Sequence, residues 1–373
     1  MDKLIVKNFG PLKDVEIELN KINLFIGENG SGKSVLAKLV TILTNYLKLD
    51  NDYILKAIDD FKINFITNET IIRLYSNNNN YIELENGKFV FPSGTIREIG
   101  DYKRFDNLFS EELKSLPKAN RTKDEEISFD NLTKQLERSK KLDLLFTSQY
   151  IPAERNFISL FNKSLSTLLV ADVPLPKFLL QFSSEFEKAG NTIKELNVLN
   201  VRYVNTDSQN RHKIYYSDNE SLDLSESSSG IQSAIPLYLT VKYLSEKHHA
   251  IIIEEPEQNL FPKAQKETVE FIVEQRQDDN ALFMMTHSPY ILTSLNNLIL
   301  ANDVKEQKGL DAIKGIVDEK HCVAFEDVSA YSIEGGKAID IMDKEDRLIG
   351  VNVIDGISDE VSHTFDTLLS KLD

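Results

Sequence analysis

The sequence predicts an α/β fold, and three segments carry that prediction. Ile22-Asn23-Leu24-Phe25-Ile26 reads as a buried strand that stops at Gly27. It gives way, from Lys33 to about Leu47, to a helical stripe of Val35, Leu36, Leu39, Ile42, Leu43 and Tyr46. Ala250-Ile251-Ile252-Ile253 is a central strand by its β-branched run and is closed by Glu254-Glu255. Leu282-Phe283-Met284-Met285 is a further buried strand, followed by Thr286-His287-Ser288-Pro289. Buried strands alternating with helices build an α/β sheet, whose ligands gather at the C-terminal ends of the strands.

In chain order, Leu4-Ile5-Val6 opens a strand that continues into Lys7-Asn8-Phe9, and Gly10-Pro11 turns it. Val15-Glu16-Ile17-Glu18-Leu19 alternates apolar and acidic residues, as a half-buried strand does. The stretches 70–75 and 81–84 read as a hairpin around Asn77 to Asn80, since asparagine tolerates turn geometry. Residues 112–140 are polar and charged, an exposed and solvated excursion. A strand at 144–147 leads into Gln149-Tyr150-Ile151-Pro152-Ala153-Glu154-Arg155. Helical stretches follow at about 156–170 and 177–196, broken by Pro174 and Pro176. Residues 201–204 and 213–216 form a second hairpin. A helix from about Ile231 to Glu246 precedes the central strand, and one from about Pro262 to Gln275 follows it. Strands at 328–333 and 338–341 and a helix at 360–372 close the chain. No internal repeat is visible.

The 373 residues predict two to three domains, or one large domain with insertions. Hydrophobic residues at 41% and charged residues at 27% allow a sizeable core and argue against global disorder. Forty-three basic against 59 acidic side chains leave a net charge of −16, which disfavours whole-surface coating of nucleic acid or of an anionic membrane. A local basic groove stays open. The single cysteine, Cys322, excludes an internal disulfide framework and any zinc site needing two thiolates, and it fits a reducing cytosol. No segment has signal-peptide character or approaches a membrane span, so the expectation is a soluble, cytoplasmic chain.

Gly27-Glu28-Asn29-Gly30-Ser31-Gly32-Lys33-Ser34 matches the phosphate-binding pattern G-x-x-x-x-G-K-[ST] in full, after a buried strand and at the start of a helix. Small residues let the backbone N–H groups of Gly27, Asn29, Gly30, Ser31 and Gly32 turn around phosphates, and the helix N-terminus adds a favourable dipole. Lys33 neutralises the β- and γ-phosphates, and the Ser34 hydroxyl takes one Mg²⁺ position. The acids at the end of the central strand supply the rest: Glu254 for the metal, Glu255 to orient or deprotonate the attacking water. His287, at the end of the next buried strand, reaches the γ-phosphate or the water. ATP and Mg²⁺ are the expected cofactors.

The order of these motifs resembles the ABC-type ATPase heads, in the group that includes the SMC and RecF-like ATPases and the ATPase domain of the OLD (overcoming lysogenization defect) family. The carriers are the strand Leu4 to Phe9, the phosphate loop, Glu254-Glu255-Pro256-Glu257-x-x-Leu260-x-Pro262 and Thr286-His287-Ser288-Pro289. Tyr150-Ile151-Pro152-Ala153-Glu154-Arg155 is similar to a stretch of the OLD-like proteins. The resemblance covers most of the chain except about 50–140 and 156–200. Glu254 departs from the family's usual aspartate by one methylene, which moves the carboxylate.

The resemblance implies a P-loop head with a mixed sheet, an antiparallel N-terminal subsheet and a helical insertion. Residues 1–155 would form the N-terminal lobe with an insertion near 50–140, residues 156–200 the helical insertion, and 201–373 the C-terminal lobe. It also implies a signature segment, which Leu224 to Gln232 fits, with Ser228 or Ser229 and Gly230 binding the γ-phosphate of a facing subunit. A serine-rich helix cap reads the same way. Gln149 becomes the Q-loop contact to Mg²⁺ or water. Arg155 becomes a phosphate sensor, or a structural partner of a nearby acid. Residues 257–260 become the D-loop at a dimer interface. The implied partners are a second copy of the chain and a separately encoded effector such as a nuclease. DNA is a further candidate partner, within bacterial DNA metabolism or antiphage defence.

Other constellations carry less. His248-His249 suits a helix C-terminus, and His321-Cys322 lacks a ligand pattern. Asp340, Asp343, Glu345 and Asp346 do not form an acidic D-x-D at a strand end, so an intrinsic nuclease is not expected. Residues 34–229 are too few for SMC-type coiled coils, and no heptad is sustained. The alternatives are a scaffold that binds ATP without turnover and a transporter nucleotide-binding subunit.

Overall fold

In the computed structural model, residues 2–45, 50–75, 81–90, 148–161, 171, 173–206, 211–245, 250–277, 280–350 and 363–371 are described. The expectations for Asn77 to Asn80, for 112–140, for the strand at 144–147 and for His248-His249 lie outside them. The chain builds one large sheet in the order β6-β5-β4-β1-β2-β15-β14-β3-β13-β12-β7. Its members are β1 (Asp2–Phe9), β2 (Leu12–Leu19), β3 (Ile22–Ile26), β4 (Ile71–Tyr75), β5 (Tyr81–Glu85), β6 (Lys88–Val90), β7 (Ser148–Ile151), β12 (Ala250–Glu254), β13 (Ala281–Thr286), β14 (Val328–Glu334) and β15 (Lys337–Asp340). Strands β14, β3, β13, β12 and β7 are mutually parallel, whereas β6, β5, β4, β1 and β2 pair antiparallel. β15 joins the halves, antiparallel to β14 and parallel to β2. The mixed sheet with an antiparallel N-terminal part is therefore present.

The period-2 alternation of the strands feeds two apolar layers. Ile251 and Ile253 of β12 and Leu282 and Met284 of β13 face one layer, with α5 (Ser229–Leu244), α6 (Pro262–Gln275) and α7 (Pro289–Lys308). Ala250, Ile252, Phe283 and Met285 face the other, with α1 (Lys33–Leu43) and α2 (Asn51–Asp60). Each strand is thus apolar on both faces, which is why these segments read as continuous runs.

Three sequence expectations shift. Helix α3 (Asn156–Phe161) and α4 (Lys177–Thr192) fall in the expected helical segment, but α4 ends at Thr192 and a strand follows. The expected hairpin at 201–216 is the centre of a four-stranded antiparallel sheet of β8 (Glu195–Val198), β9 (Val201–Thr206), β10 (Arg211–Ser217) and β11 (Glu220–Asp223). The boundary expected at 200/201 therefore cuts a hairpin at its turn, where Leu199 and Asn200 both have positive φ, of 50° and 58°. The 20-residue helix α7 has no counterpart in the sequence reading. Its start was legible: Ser288 Oγ accepts from the Tyr290 N–H at 3.1 Å, and Pro289 occupies the first turn. The expected closing helix is described over 363–369. Among the described residues, no helix is long and apolar enough to cross a membrane.

Candidate functional site

The register of the parallel strands brings the predicted residues to one edge. Glu254 pairs with Met285, Thr286 with Ile26, and Ile253 with Ile151, so the chain leaves β3, β12, β13 and β7 side by side. The loop after β3 bends into α1 at Gly32, the residue before the helix, with φ 107°, a conformation that a side chain would strain. Glu28, Asn29, Gly30 and Ser34 are exposed, Gly27 and Ser31 half-buried, and Lys33 buried. Lys33 folds back over its own loop. Its Nζ donates to the carbonyls of Gly27 (2.7 Å) and Glu28 (2.9 Å) and to Ser31 Oγ (3.2 Å). Burial lowers this ammonium to about 8, although Glu255, Glu257 and Glu254 pull it upward.

Glu254 is buried, and burial raises its carboxyl to about 6 against the opposing pull of Lys38. The hydroxyls of Tyr150 and Ser34 favour the carboxylate, and Glu154 disfavours it. Glu254 Oε1 is nevertheless enclosed with no hydrogen bond of regular geometry, and so is the Tyr150 hydroxyl. Tyr150, on the neighbouring strand, opens the OLD-like stretch, and the sequence assigns it no role at the site. Burial pushes its phenol well above the usual tyrosine range.

Glu255 leaves the strand in the left-handed region, φ 44°, with its N–H donating to the Met285 carbonyl at 2.8 Å. Its Oε1 lies 3.5 Å from His287 Nε2. His287 Nδ1 lies 2.8 Å from the Gly27 carbonyl oxygen and 3.3 Å from Lys33 Nζ. Nδ1 either donates to that carbonyl or accepts from Lys33, and with Nδ1 as the acceptor the Nε2–H faces the Glu255 carboxylate as donor. The histidine is aimed by Glu257, whose Oε1 accepts from the His287 N–H at 2.7 Å and from Thr286 Oγ1 at 2.8 Å. Glu257 thus turns inward within its own chain, a bond made across a distance in sequence that no local motif reveals.

The signature segment lies at the start of α5. Ser228 and Ser229 are exposed there, and Ser228 makes no side-chain cap bond. Gln232 Nε2 pins the turn before them by donating to the carbonyls of Ser225 (2.9 Å) and Ser227 (2.8 Å). Gly230 packs against the next loop so closely that a Cβ there would stand 2.9 Å from the Asn259 carbonyl oxygen. Ser233 Oγ donates to Gln258 Oε1 at 2.9 Å, joining α5 to the same loop.

Two predicted residues are not at the site in the role expected. Gln149 sits inside β7 opposite Ile251, three positions before Glu254, and at roughly 3.3 Å per residue that places it about 10 Å back from the edge. The described strand runs through Gln149 to Ile151, so Pro152, not Gln149, lies level with the acids. Arg155 is fully buried and cannot be reached by a phosphate. Among the described residues it does not pair with an acid's carboxylate either: its guanidinium donates to backbone carbonyls of Pro152, Ser233, Glu254 and Glu255.

The sequence profile of the AAA ATPase domain family matches residues 1–168 and 172–292. The chain belongs to this family. It is an ATP-binding protein of the AAA ATPase type, and the loop at Gly27 to Ser34 lies within the matched stretch. No curated protein matches it in sequence. Among solved structures it is similar to the SMC head domain from Thermotoga maritima, at 9% identity over 91% of this chain and 97% of that one, TM-score 0.39. It is similar to an SMC head with an extended coiled coil bound to the C-terminal domain of ScpA, from Pyrococcus furiosus, at 12% identity over 97% and 100%, TM-score 0.39. It is also similar to an ATP-binding cassette of an ABC transporter in its ADP conformation, at 14% identity over 93% of each chain, TM-score 0.37.

Proposed function

We propose that this AAA ATPase hydrolyses ATP to ADP and phosphate at the edge formed by Gly27, Glu254, Glu255 and His287. The observation that carries the reading is the chain of contacts Lys33–His287–Glu255, at 3.3 and 3.5 Å, closing over the Gly27 carbonyl. Triphosphate oxygens would replace the loop carbonyls as acceptors for Lys33, which matches a cation to the developing charge. Glu255 is half exposed, faces His287 Nε2 and would take a proton from the attacking water, while His287 holds that water or the γ-phosphate.

A magnesium ion fits the residues present. Glu254 Oε1 is a buried carboxylate oxygen without a partner, beside the Ser34 hydroxyl, and hard oxygen donors suit this metal. When bound, the ion would supply charge neutralisation at the phosphates. Ser228 and Ser229 are exposed at a helix N-terminus beside Gly230, so the proposed target of these three residues is the γ-phosphate on a second copy of the chain. The resemblance to the OLD group supports a cytoplasmic role with a separately encoded effector such as a nuclease, on DNA or in antiphage defence.

The test is steady-state phosphate release with and without DNA. Glu255→Gln should keep ATP affinity and lose turnover by about 10²–10⁴-fold. A wild-type protein that binds ATP and releases no phosphate, or a Glu255→Gln variant as fast as wild type, overturns the reading.

A further inference from the structure

The Glu255 backbone is held in a conformation that a glutamate avoids. Its φ of 44° lies in the left-handed region, where a non-glycine residue is strained and persists only when its surroundings fix it. The fixing group is Arg155. Its Nη1 donates to the Glu254 carbonyl at 2.7 Å and the Pro152 carbonyl at 3.2 Å, and its Nη2 donates to the Glu255 carbonyl at 2.5 Å. In a continuing strand, consecutive residues alternate across the sheet and their carbonyls point apart. One planar guanidinium can grip the carbonyls of both Glu254 and Glu255 only because the chain turns at Glu255. The fork therefore selects the turned conformation, the one that presents the Glu255 carboxylate to His287.

The same guanidinium reaches a second element. Its Nε donates to the Ser233 carbonyl at 3.2 Å, in the helix whose N-terminus carries Ser228 and Ser229. That helix runs on through a proline nearby and lacks one of its own bonds there. Pro236 has no N–H to give to the Gln232 carbonyl four residues back, and Ser159 Oγ donates to that carbonyl instead, at 2.6 Å. Arg155 and α3 thus dock on the stretch of α5 that the proline has opened.

We infer that Arg155 is a positioning residue that sets the Glu255 backbone and ties it to the helix of Ser228 and Ser229. A displacement of that helix is passed to the glutamate through the four carbonyls held by one rigid side chain. The inference rests on the proposed hydrolysis at Glu255. Lysine has the charge but gathers its three donors on one nitrogen, so it cannot make the four bonds that the guanidinium spreads over three nitrogens.

The experiment compares Arg155→Lys with Ser159→Ala, each with its melting temperature, ATP affinity, kcat and KM. Ser159→Ala removes a bond to the same helix without touching Glu255, and its kcat should stay within about two-fold of wild type. Arg155→Lys should lose about 10- to 100-fold in kcat, the scale of a small misplacement of a reacting group, with ATP affinity and KM within about two-fold. Should the lysine variant not fold, Arg155→Gln, with neutral amide donors, carries the same comparison. If neither folds, the role is structural and the positioning claim falls. If wild type hydrolyses ATP and Arg155→Lys keeps its kcat, the positioning claim falls alone. If kcat falls in Ser159→Ala as much as in Arg155→Lys, general loosening explains both and the claim is overturned. A wild-type protein without turnover overturns the proposed hydrolysis itself, and the inference with it.

Discussion

Lys33 shows how a single residue is prepared for its ligand. Its ammonium is withdrawn from water and occupied by three oxygens of its own loop, so the loop is pre-folded around the cation before any phosphate arrives. Lys33→Ala should weaken ATP binding by roughly 10- to 100-fold or more, the worth of a hydrogen bond to a charged group, measured by calorimetry. Burial also sets a pH dependence. The free ammonium titrates near 8, and a bound triphosphate raises that value, so the proton is held more tightly in the complex. Affinity is therefore full below about pH 8 and declines as pH rises through it. Titrations at pH 7 and 9 should show weaker binding at 9, with proton uptake; equal affinity would show that Lys33 stays charged without help. Lys33, Ser34, Glu254, Glu255 and His287 were legible because each follows a strand within one short motif. The contacts of Tyr150, quoted only within the OLD-like stretch, and of Glu257, expected only in the D-loop, were not, because Tyr150 meets Glu254 only across the sheet and Glu257 meets His287 only at the strand ends. Arg155 was visible as a residue and misread as a role: sequence shows a cation near a motif but not that carbonyls enclose it.

Between elements, two junctions decide behaviour. The first is where α5 meets the loop after Glu257. Gly230 allows the approach to Asn259, and an added Cβ would stand 2.9 Å from a backbone oxygen that has no rotamer to give way with. Gly230→Ala should push helix and loop apart and slow turnover at least several-fold, while Lys33 and ATP affinity are untouched; unchanged kcat would show that the junction has slack. The second junction is the small sheet. His212 lies against Phe186, ring centroids 4.7 Å apart, and its Nδ1 is 2.7 Å from the Tyr203 hydroxyl. Burial lowers its imidazole to about 4. Between that value and about 6.5 the unfolded chain binds a proton that the folded chain refuses. Stability is thus complete above about pH 6.5 and is lost as pH falls toward 4, by about 3 kcal/mol at full extent. Thermal melts of His212→Asn should start lower at pH 7 yet fall less between pH 7 and pH 5 than wild type. This sheet was only half legible. Its central hairpin alternates clearly, but β8 and β11 are short and lie at the edges, and little in four residues separates a strand from a loop.

For the whole molecule, the question is what brings two copies together. Each carries a net charge of −16, so approach is opposed at long range, and the repulsion is screened by salt. Any association must then be won by short contacts at one face. The face around the site offers them: Phe261, beside the loop of Asn259, is 78% exposed, and Tyr290, three residues after His287, is 50% exposed. Ser228, which makes no side-chain cap bond, and Ser229 are exposed at a helix N-terminus, which favours an anion. The triphosphate of a facing copy is such an anion, and it exists only until hydrolysis. Glu255→Gln keeps the size of the side chain and removes the base, so it should hold ATP intact and gather as a dimer. Under the proposed reading the closed state would be favoured because the γ-phosphate would contact serines of the second copy in that state alone. Adding Ser229→Arg to the same protein places a bulky side chain in the grip and should return it to monomer while ATP still binds. Light scattering with and without ATP, at low and moderate salt, reads both. Moderate salt should strengthen the Glu255→Gln dimer by screening like charge at a distance, before it weakens the phosphate contacts. If Glu255→Gln has one mass in every condition, ATP does not control assembly, and the outward serines act as no more than a helix cap.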